Sequence, residues 1–464
     1  MSDGLCLPRC PEDGCPAGTA CVADVCAPAL EPSALVSVDV TQRYQTLVGI
    51  GAGVAYLNDE VGRHPRKTEL FDAMFSGTGL SVLRLRNRYG QDEDDLGSTQ
   101  EIVAAATERL GRSPLILLNS ASPPGSLKQS GSSWCEGNPD TCTLARLDDG
   151  SFDYAGLASH WRASLEAYTV AGIEPDYISI QNNPNWVPEQ GAAVEACKFL
   201  PRQGTATVPT ADGEVSVDYP GYREALDAIL AELESLANIP GIVAPETSSL
   251  TQVVEYAAAL DFANVDAIAH HLYGVDPADV DLARVAELEE LSTQHERPVF
   301  QSEMQADALE TALHLHNSLA IQGAALFIHN GFLASAGRIE PDSTALINLT
   351  QDDFVLGDPY HIMLHYSAHT GSGWVRVSAD SDTPDVLASA WVSPQDDVLV
   401  MVLTNPGLTA QAVRIDIDRS TESISTVTRT VLGGVERSAV LGALPADSVV
   451  SLPGQSAVTV VLRQ

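Results

Sequence analysis

The segments YISIQNNPNW (177–186) and RPVFQSEM (297–304) decide the fold, because each is a short apolar run that ends in polar residues. In a (β/α)₈ barrel, every strand delivers side chains to the rim at its carboxyl end. The first segment ends in Asn182 and Asn183, and the second ends at Glu303. We therefore predict that these side chains lie at the functional rim of a parallel barrel.

Strand-like and helix-like segments alternate on both sides of these two stretches, as a parallel α/β fold requires. Eight strands are predicted, beginning with the glycine-rich TLVGIGAGVAYL and continuing at 80–89, 113–122, 176–183, 241–248, 265–274, 297–304 and 323–330. The segment 222–237 has apolar residues at helical spacing, whereas 197–219 has weak periodicity and reads as an insertion. The sequence thus predicts an α/β fold with a TIM barrel at 46–359.

The residue pattern changes after residue 360, where short strand-like runs and turn signals replace helical periodicity. This pattern predicts a side β-sandwich at 360–464. The strand-like VSVDVTQRYQ (36–45) precedes the barrel and has no place in it, so we expect the segment 35–45 to complete the sandwich. Residues 1–34 read as a cysteine-rich appendix or linker.

The cysteines favour a secreted protein with disulfides. Cys135 and Cys142 bracket a short loop and are the expected pair. The amino-terminal cysteines lack C-x-x-C spacing and a nearby histidine, which argues against zinc; they are Cys6, Cys10, Cys15, Cys21 and Cys26. Because five is an odd number, one of them pairs elsewhere, for instance with Cys197, or stays free.

The net charge of −37, with Lys67, Lys128 and Lys198 as the only lysines, argues against nucleic acid or an anionic membrane as a partner. It fits a neutral or weakly charged substrate, although solubility alone also explains it. We find no run of 18 apolar residues and expect no membrane span. No cofactor or metal is expected, since G-x-G-x-x-G fails at Val54 and no H-E-x-x-H or Walker A motif occurs. We expect a monomer.

Glycosidic bonds are cut with retention by two carboxyl groups, one a nucleophile and one a general acid and base. Glu303 is placed like the nucleophile. Arg84 and Arg86 lie two apart on a predicted strand, so they share a face and could stabilise the nucleophile's charge; otherwise they serve the barrel floor.

Four further side chains are candidates for binding sugar. His271 and Tyr273 also share a strand face, where they could bind sugar hydroxyls, steady Glu303 or simply pack together. Trp186 and Trp134 lie in predicted rim loops and could stack on sugar rings or serve packing.

At these residues the chain resembles glycoside hydrolase family 30, over about residues 36–464. The matching segments are LVGIGAG, GLSVLRLRNRYG, SASPPGSLK, YISIQNNPNW, HHLYG, QSEM and YHIMLHYSAHTGSGWVRV. The resemblance implies a (β/α)₈ barrel joined to a side β-sandwich built from both chain ends. It also implies that Glu303 is the nucleophile, that Asn183 occupies the acid/base position and that Asn182 contacts the sugar 2-hydroxyl.

Asn183 departs from the family pattern, which has glutamate there as QNEP. An amide can neither donate a carboxylic proton nor accept one as a base, and losing such help costs about 10²–10⁴-fold in rate. The substitution fits an engineered knock-out, a weakened enzyme, a carbohydrate-binding pseudoenzyme or an enzyme with a substitute acid. Glu189, six residues further on, is the nearest candidate substitute.

The substrate implied by the resemblance is a plant cell-wall polysaccharide. SPPGSLK and the passage into the sandwich favour xylan and endo-β-1,4-xylanase activity. The family also implies β-1,6-glucanase, β-1,6-galactanase and glucosylceramidase activities as alternatives. A pseudoenzyme would bind oligosaccharides without turnover, and an adhesive surface protein would not bind them in the barrel.

Overall fold

The computed structural model describes residues 19–22, 25–28, 31–91, 96–189, 191–210, 213–335, 344–418 and 424–464. Cys6, Cys10 and Cys15, for which disulfides were predicted, lie outside these residues. Cys21 and Cys26 are cross-strand neighbours in a hairpin formed by Thr19–Val22 and Val25–Pro28.

The main body is a closed barrel of eight parallel strands in sequence order. All eight predicted strands are confirmed, and their bounds are Gly49–Val54, Val82–Arg86, Leu115–Asn119, Tyr177–Ser179, Gly241–Thr247, Ala267–His271, Val299–Met304 and Leu326–His329. Below they are called barrel strands 1 to 8. The α-helices outside them are Asn58–Arg63, Lys67–Phe75, Gly97–Leu110, Tyr154–Val170, Tyr222–Leu233, Leu250–Ala257, Leu282–His295, Ala308–His316 and Asp358–Ser367.

The barrel strands form because nearly continuous apolar runs are buried on both faces, inward against the barrel core and outward against helices. In strand 1, Gly49–Val54, all six residues are apolar or glycine, and all six are buried. Several helices begin at an aspartate whose side chain accepts backbone N–H groups: Asp153, Asp281 and Asp307 cap the helices that start one residue later. These caps fix where each strand-to-helix loop ends.

The side domain contains the predicted amino-terminal strand, observed as Ala34–Thr46. This strand lies inside a nine-stranded sheet, antiparallel to Val375–Ser381 and parallel to Gln411–Ile417. The other strands are Leu387–Val392, Val398–Asn405, Ile424–Val431, Ala439–Gly442, Val449–Leu452 and Ser456–Arg463. The sheet is continuous and mixed, and it curls so that strands from its middle and both halves share one apolar cluster.

Smaller elements decorate the barrel. The predicted insertion contains a hairpin of Gly204–Thr210 and Gly213–Tyr219. Trp134–Cys135 pairs with Val194–Glu195, and Leu333–Ser335, Ile347–Leu349 and Phe354–Leu356 form a three-stranded sheet. Short 3₁₀ turns occur at Gly125–Leu127 and Phe262–Asn264, and a π-helical turn, Asn317–Ile321, directly follows the helix Ala308–His316.

The predicted disulfide between Cys135 and Cys142 is confirmed, with Cα atoms 5.3 Å apart. Cys197 is a buried free thiol, so the alternative in which it pairs with an amino-terminal cysteine is not observed. Burial raises the pKa of this thiol to about 11. Across the described ranges, no helix is both long enough and apolar enough to cross a bilayer.

Candidate active site

A cavity of about 520 Å³ opens at the carboxyl ends of the barrel strands. Its volume suits a small ligand or part of a longer one. Charged, amide and aromatic side chains line it together, including Arg84, Arg86, Asn182, Asn183, Glu303, Tyr273, Trp186, Tyr56, Glu195, Asn119 and Asn330. The cavity therefore lies at the rim where the sequence places the functional residues.

Glu303 is held at the end of barrel strand 7 by two donors on different oxygens. Its Oε2 lies 2.6 Å from Nη1 of Arg84, and its Oε1 accepts a hydrogen bond of 2.8 Å from the Tyr273 hydroxyl. The carboxylate is 7% exposed, on the side of the cavity. Burial, and then the charge of Glu303, raise the pKa of Tyr273 well above its usual value, so the hydroxyl stays a donor.

Arg84, from barrel strand 2, is the central cation of the site and is 5% exposed. Besides Glu303, its guanidinium donates to Asn182 at 2.8 Å and to Asn330 at 3.4 Å. Its Nη2 also lies 3.5 Å from a second carboxylate, Glu246. Arg84 thus forms hydrogen bonds or ion pairs with residues at the carboxyl ends of strands 4, 5, 7 and 8.

Glu246 is a fully buried carboxylate beneath the cavity. Burial by itself would raise its pKa, but the charge of Arg84 and the imidazole of His271 hold the pKa well below its usual range. Asn119 donates to its other oxygen at 2.6 Å. Because its partners surround it and no part of its side chain is exposed, Glu246 is a fixed negative charge and is not open to a ligand.

Asn183 is anchored from behind by His271, whose Nδ1 lies 2.8 Å from the amide oxygen. The Nε2 of His271 faces Glu246 at 3.6 Å. The backbone N–H of Asn183 donates to the carbonyl of Glu246 at 3.1 Å, and both residues have positive φ, 45° and 56°. Asparagine tolerates this left-handed conformation better than most residues. Position 183 is therefore well defined, although its side chain carries no carboxyl group.

A second acidic side chain, Glu195, enters the cavity from the loop that follows barrel strand 4. Its Oε1 forms an ion pair with Nη2 of Arg86, and its Oε2 accepts a hydrogen bond of 3.2 Å from Tyr56. The guanidinium of Arg86 also lies over the Tyr56 ring, 5.0 Å from its centre. The two arginines predicted to share a face thus serve different carboxylates, Glu303 and Glu195.

Most of the sequence-predicted side chains meet at the cavity. One predicted binding residue, His271, is fully buried behind Asn183 and does not line the cavity. Glu189, the candidate substitute acid, is exposed and also does not line it. Trp186 lines the cavity and packs on the disulfide, whereas Trp134 is 46% exposed and does not line the cavity.

Sequence reasoning missed several members of the site. Asn119, Glu246 and Asn330 each stand at or just after the end of a barrel strand, so the strand-end rule applied to every strand would have found them. Tyr56 lies in a loop and Glu195 in an isolated two-residue strand, and neither is long enough to carry a periodic signal that marks a cavity-facing side chain.

The charges at the site are two arginines, Arg84 and Arg86, and three carboxylates, Glu195, Glu246 and Glu303. This balance suits a neutral ligand that gains positive charge during reaction, as a sugar ring does when it becomes an oxocarbenium ion. Among the residues that the structure describes, no group of three or more His, Cys, Asp or Glu is arranged to hold a metal ion.

A parallel eight-stranded barrel joined to a β-domain that includes the amino-terminal strand is the fold of glycoside hydrolase family 30, and this chain has a family 30-like fold. A family 30 subfamily 8 xylanase from Clostridium acetobutylicum matches with a TM-score of 0.67 and 19% identity, over 92% of this chain and 99% of that one. The catalytic domain of a family 30 xylanase C from Talaromyces cellulolyticus matches with a TM-score of 0.69 and 15% identity, over 93% and 100%.

An endo-β1,6-glucanase also matches, with a TM-score of 0.66 and 12% identity, over 93% of this chain and 94% of that one. At such identities the likeness concerns the fold. A scan against protein-family models and a search of curated proteins each gave no match.

Proposed function

We propose that this protein is a secreted, retaining glycoside hydrolase that acts on a plant cell-wall polysaccharide, with xylan as its substrate and endo-β-1,4 cleavage as its activity. The observation that carries the proposal is Glu303, a carboxylate at the end of barrel strand 7 that Arg84 and Tyr273 hold against the cavity. A nucleophile must be oriented before substrate arrives, and these two donors hold both oxygens of the carboxylate in place.

In this proposal Glu303 attacks the anomeric carbon and forms a covalent glycosyl-enzyme, which water then hydrolyses. Asn182, held by Arg84, would bind the 2-hydroxyl of the sugar, and Trp186 would stack on a sugar ring. The absence of excess positive charge in the cavity supports a neutral sugar chain. The xylanases among the similar structures support xylan, and the disulfide Cys135–Cys142 supports secretion.

The test is hydrolysis of a substrate panel by the wild-type chain and by Glu303→Gln. The panel contains xylan, β-1,6-glucan, β-1,6-galactan, glucosylceramide and the matching aryl glycosides. We expect turnover of xylan with retention of configuration, and loss of more than about 10³-fold in Glu303→Gln, because a neutral amide cannot act as the nucleophile. Activity that survives in Glu303→Gln would exclude this residue as the nucleophile.

Asn183 favours a second candidate, a carbohydrate-binding pseudoenzyme, because the family position of the proton donor carries an amide. This alternative predicts oligosaccharide binding by calorimetry without turnover, even of an aryl glycoside with an activated leaving group. If the panel gives a best substrate other than xylan, for example β-1,6-glucan, the proposal of a retaining hydrolase stands and the substrate changes.

A further inference from the structure

The cavity contains a carboxylate outside the two positions, 183 and 303, at which the family resemblance implies catalytic carboxyl groups. Glu195 lines the same cavity as Glu303, yet it lies 12 residues beyond Asn183 along the chain. Its Oε1 is occupied by Arg86, while its Oε2 accepts one hydrogen bond, from Tyr56 at 3.2 Å. A carboxylate oxygen has two lone pairs, so Oε2 retains room for a proton.

Strand pairing and a buried lysine hold the segment around Glu195 in place. The short strand Val194–Glu195 pairs with Trp134–Cys135, so the disulfide to Cys142 fixes the partner strand. Lys128, which is buried, donates to the carbonyl of Ala196 and to Ser122. A catalytic carboxyl on a loop needs such support, because small displacements of a reacting group are costly.

The other acidic candidates do not fit the role of proton donor. Asn183 has an amide whose oxygen lies on His271, Glu246 lies beneath Arg84 and does not line the cavity, and Glu189 is exposed outside the cavity. The Glu195 side chain is itself only 1% exposed, so its position in the cavity wall, and not its exposure, distinguishes it from Glu246. Among the described side chains that line the cavity, the carboxylates are Glu303 and Glu195.

We infer that Glu195 is the general acid and base of this site, in place of the residue that Asn183 has replaced. The inference rests on the proposed function. If it holds, the acid/base function that is missing at position 183 is carried out by Glu195.

The proton balance is complete in two steps. In the first, a Glu303 oxygen bonds to the anomeric carbon, the bond to the leaving oxygen breaks, and the Glu195 proton moves to that oxygen. In the second, the Glu195 carboxylate takes a proton from water, whose oxygen bonds to the anomeric carbon as the bond to Glu303 breaks. Arg86 and Tyr56 stabilise the negative charge of Glu195 between the steps.

The test compares Glu195→Gln with Glu189→Gln, which changes an exposed glutamate of the same loop. Each is assayed on xylan, whose leaving group needs a proton, and on 2,4-dinitrophenyl β-xylobioside, whose leaving group does not. We expect Glu195→Gln to lose about 10²–10⁴-fold on xylan. On the aryl glycoside it should give a burst of dinitrophenol and a slow steady state, because the second step lacks its base.

Azide should then accelerate the steady state of Glu195→Gln and yield the β-glycosyl azide, because a small anion attacks without a base. Glu195→Asp, which retains a carboxyl group, should be impaired less and give no azide product. Glu189→Gln should behave as wild type. A purely structural defect in Glu195→Gln would lower the turnover rate equally on both substrates, and azide would have no effect. That result would overturn the inference.

Two further results would also overturn it. One is unchanged kinetics in Glu195→Gln. The other is a several-hundredfold gain on xylan in Asn183→Glu, which would mean that wild type lacks an acid and base and that position 183 is simply vacant. In both cases the wild-type turnover of the aryl glycoside would leave the proposed function intact. A wild-type chain that turns over no member of the panel would instead defeat the proposed function, and this inference with it.

Discussion

Replacing Arg84 with methionine should destabilise the protein strongly, because one guanidinium neutralises two buried carboxylates. Glu246 is fully buried, Glu303 is 7% exposed, and Arg84 itself is 5% exposed. Methionine keeps most of the volume but leaves both negative charges without the arginine. Breaking a buried ion pair by removing one partner costs about 3–5 kcal/mol. At about 2 cal/mol/K of unfolding entropy per residue, this corresponds to a fall of roughly 3–5 °C in the melting temperature.

The effect should depend on pH in a defined direction. In the wild-type chain the pKa of Glu246 is depressed, so its stabilising contribution is present above the unfolded pKa and is lost as pH falls below it. Without Arg84, burial raises the pKa of Glu246, and the variant relieves the buried charge by taking up a proton at acidic pH. The stability difference between wild type and Arg84→Met should therefore be larger at about pH 8 than at about pH 5.

The measurement is the free energy of unfolding in urea, together with calorimetry, at both pH values. Arg284→Met is the matched control, because Arg284 pairs with Glu287 on the surface, where both side chains are over 40% exposed. Such a pair contributes about 0–1 kcal/mol. The double variant Arg84→Met/Glu246→Gln should recover part of the loss. A loss below about 1 kcal/mol, or one that is equal at both pH values, would refute this electrostatic account.

Two other predictions concern the supports of the site. Tyr273→Phe removes one hydrogen bond from the Glu303 carboxylate and should lower kcat/KM by about 10–100-fold without changing the fold, as checked by kinetics and circular dichroism. A fall seen only in thermal stability would contradict that role. Cys135→Ala/Cys142→Ala opens a closed loop and should cost about 2–3 kcal/mol of stability in urea unfolding. It should also lower turnover by loosening the strand that holds Glu195, so full activity in this variant would refute the link between disulfide and site.

The barrel could be predicted from sequence because most of its strands are short, largely apolar runs with a polar residue at or next to the carboxyl end. That signal located Glu303 and Asn183 at the rim, and alternation within strands placed Arg84 and Arg86 on one face. The prediction that an amino-terminal strand joins the side domain is confirmed. The alternation of polar and apolar residues, however, could not show that the nine strands form one continuous curled sheet. The order of strands in such a sheet depends on contacts between segments that are distant in sequence, which no local pattern encodes.

The site was only partly predictable, for a physical reason. A strand fixes its side-chain directions by its two-residue period, whereas a loop has no such rule. Glu189 was the nearest candidate for a substitute acid because it is close to Asn183 in sequence. The chain, however, continues to a two-residue strand whose Glu195 side chain lines the cavity. His271 shared its predicted face with Tyr273, but Asn183 covers it.

The most direct test of the central claim is to trap the covalent intermediate on Glu303. The wild-type chain would be incubated with 2,4-dinitrophenyl 2-deoxy-2-fluoro-β-xylobioside and its gluco and galacto counterparts, then digested and analysed by peptide mass spectrometry. The account predicts one fluoroglycosyl adduct, on the peptide and side chain of Glu303, that is absent in Glu303→Gln. An adduct on Glu195 or another carboxylate, or release of dinitrophenol with no adduct anywhere, would contradict it.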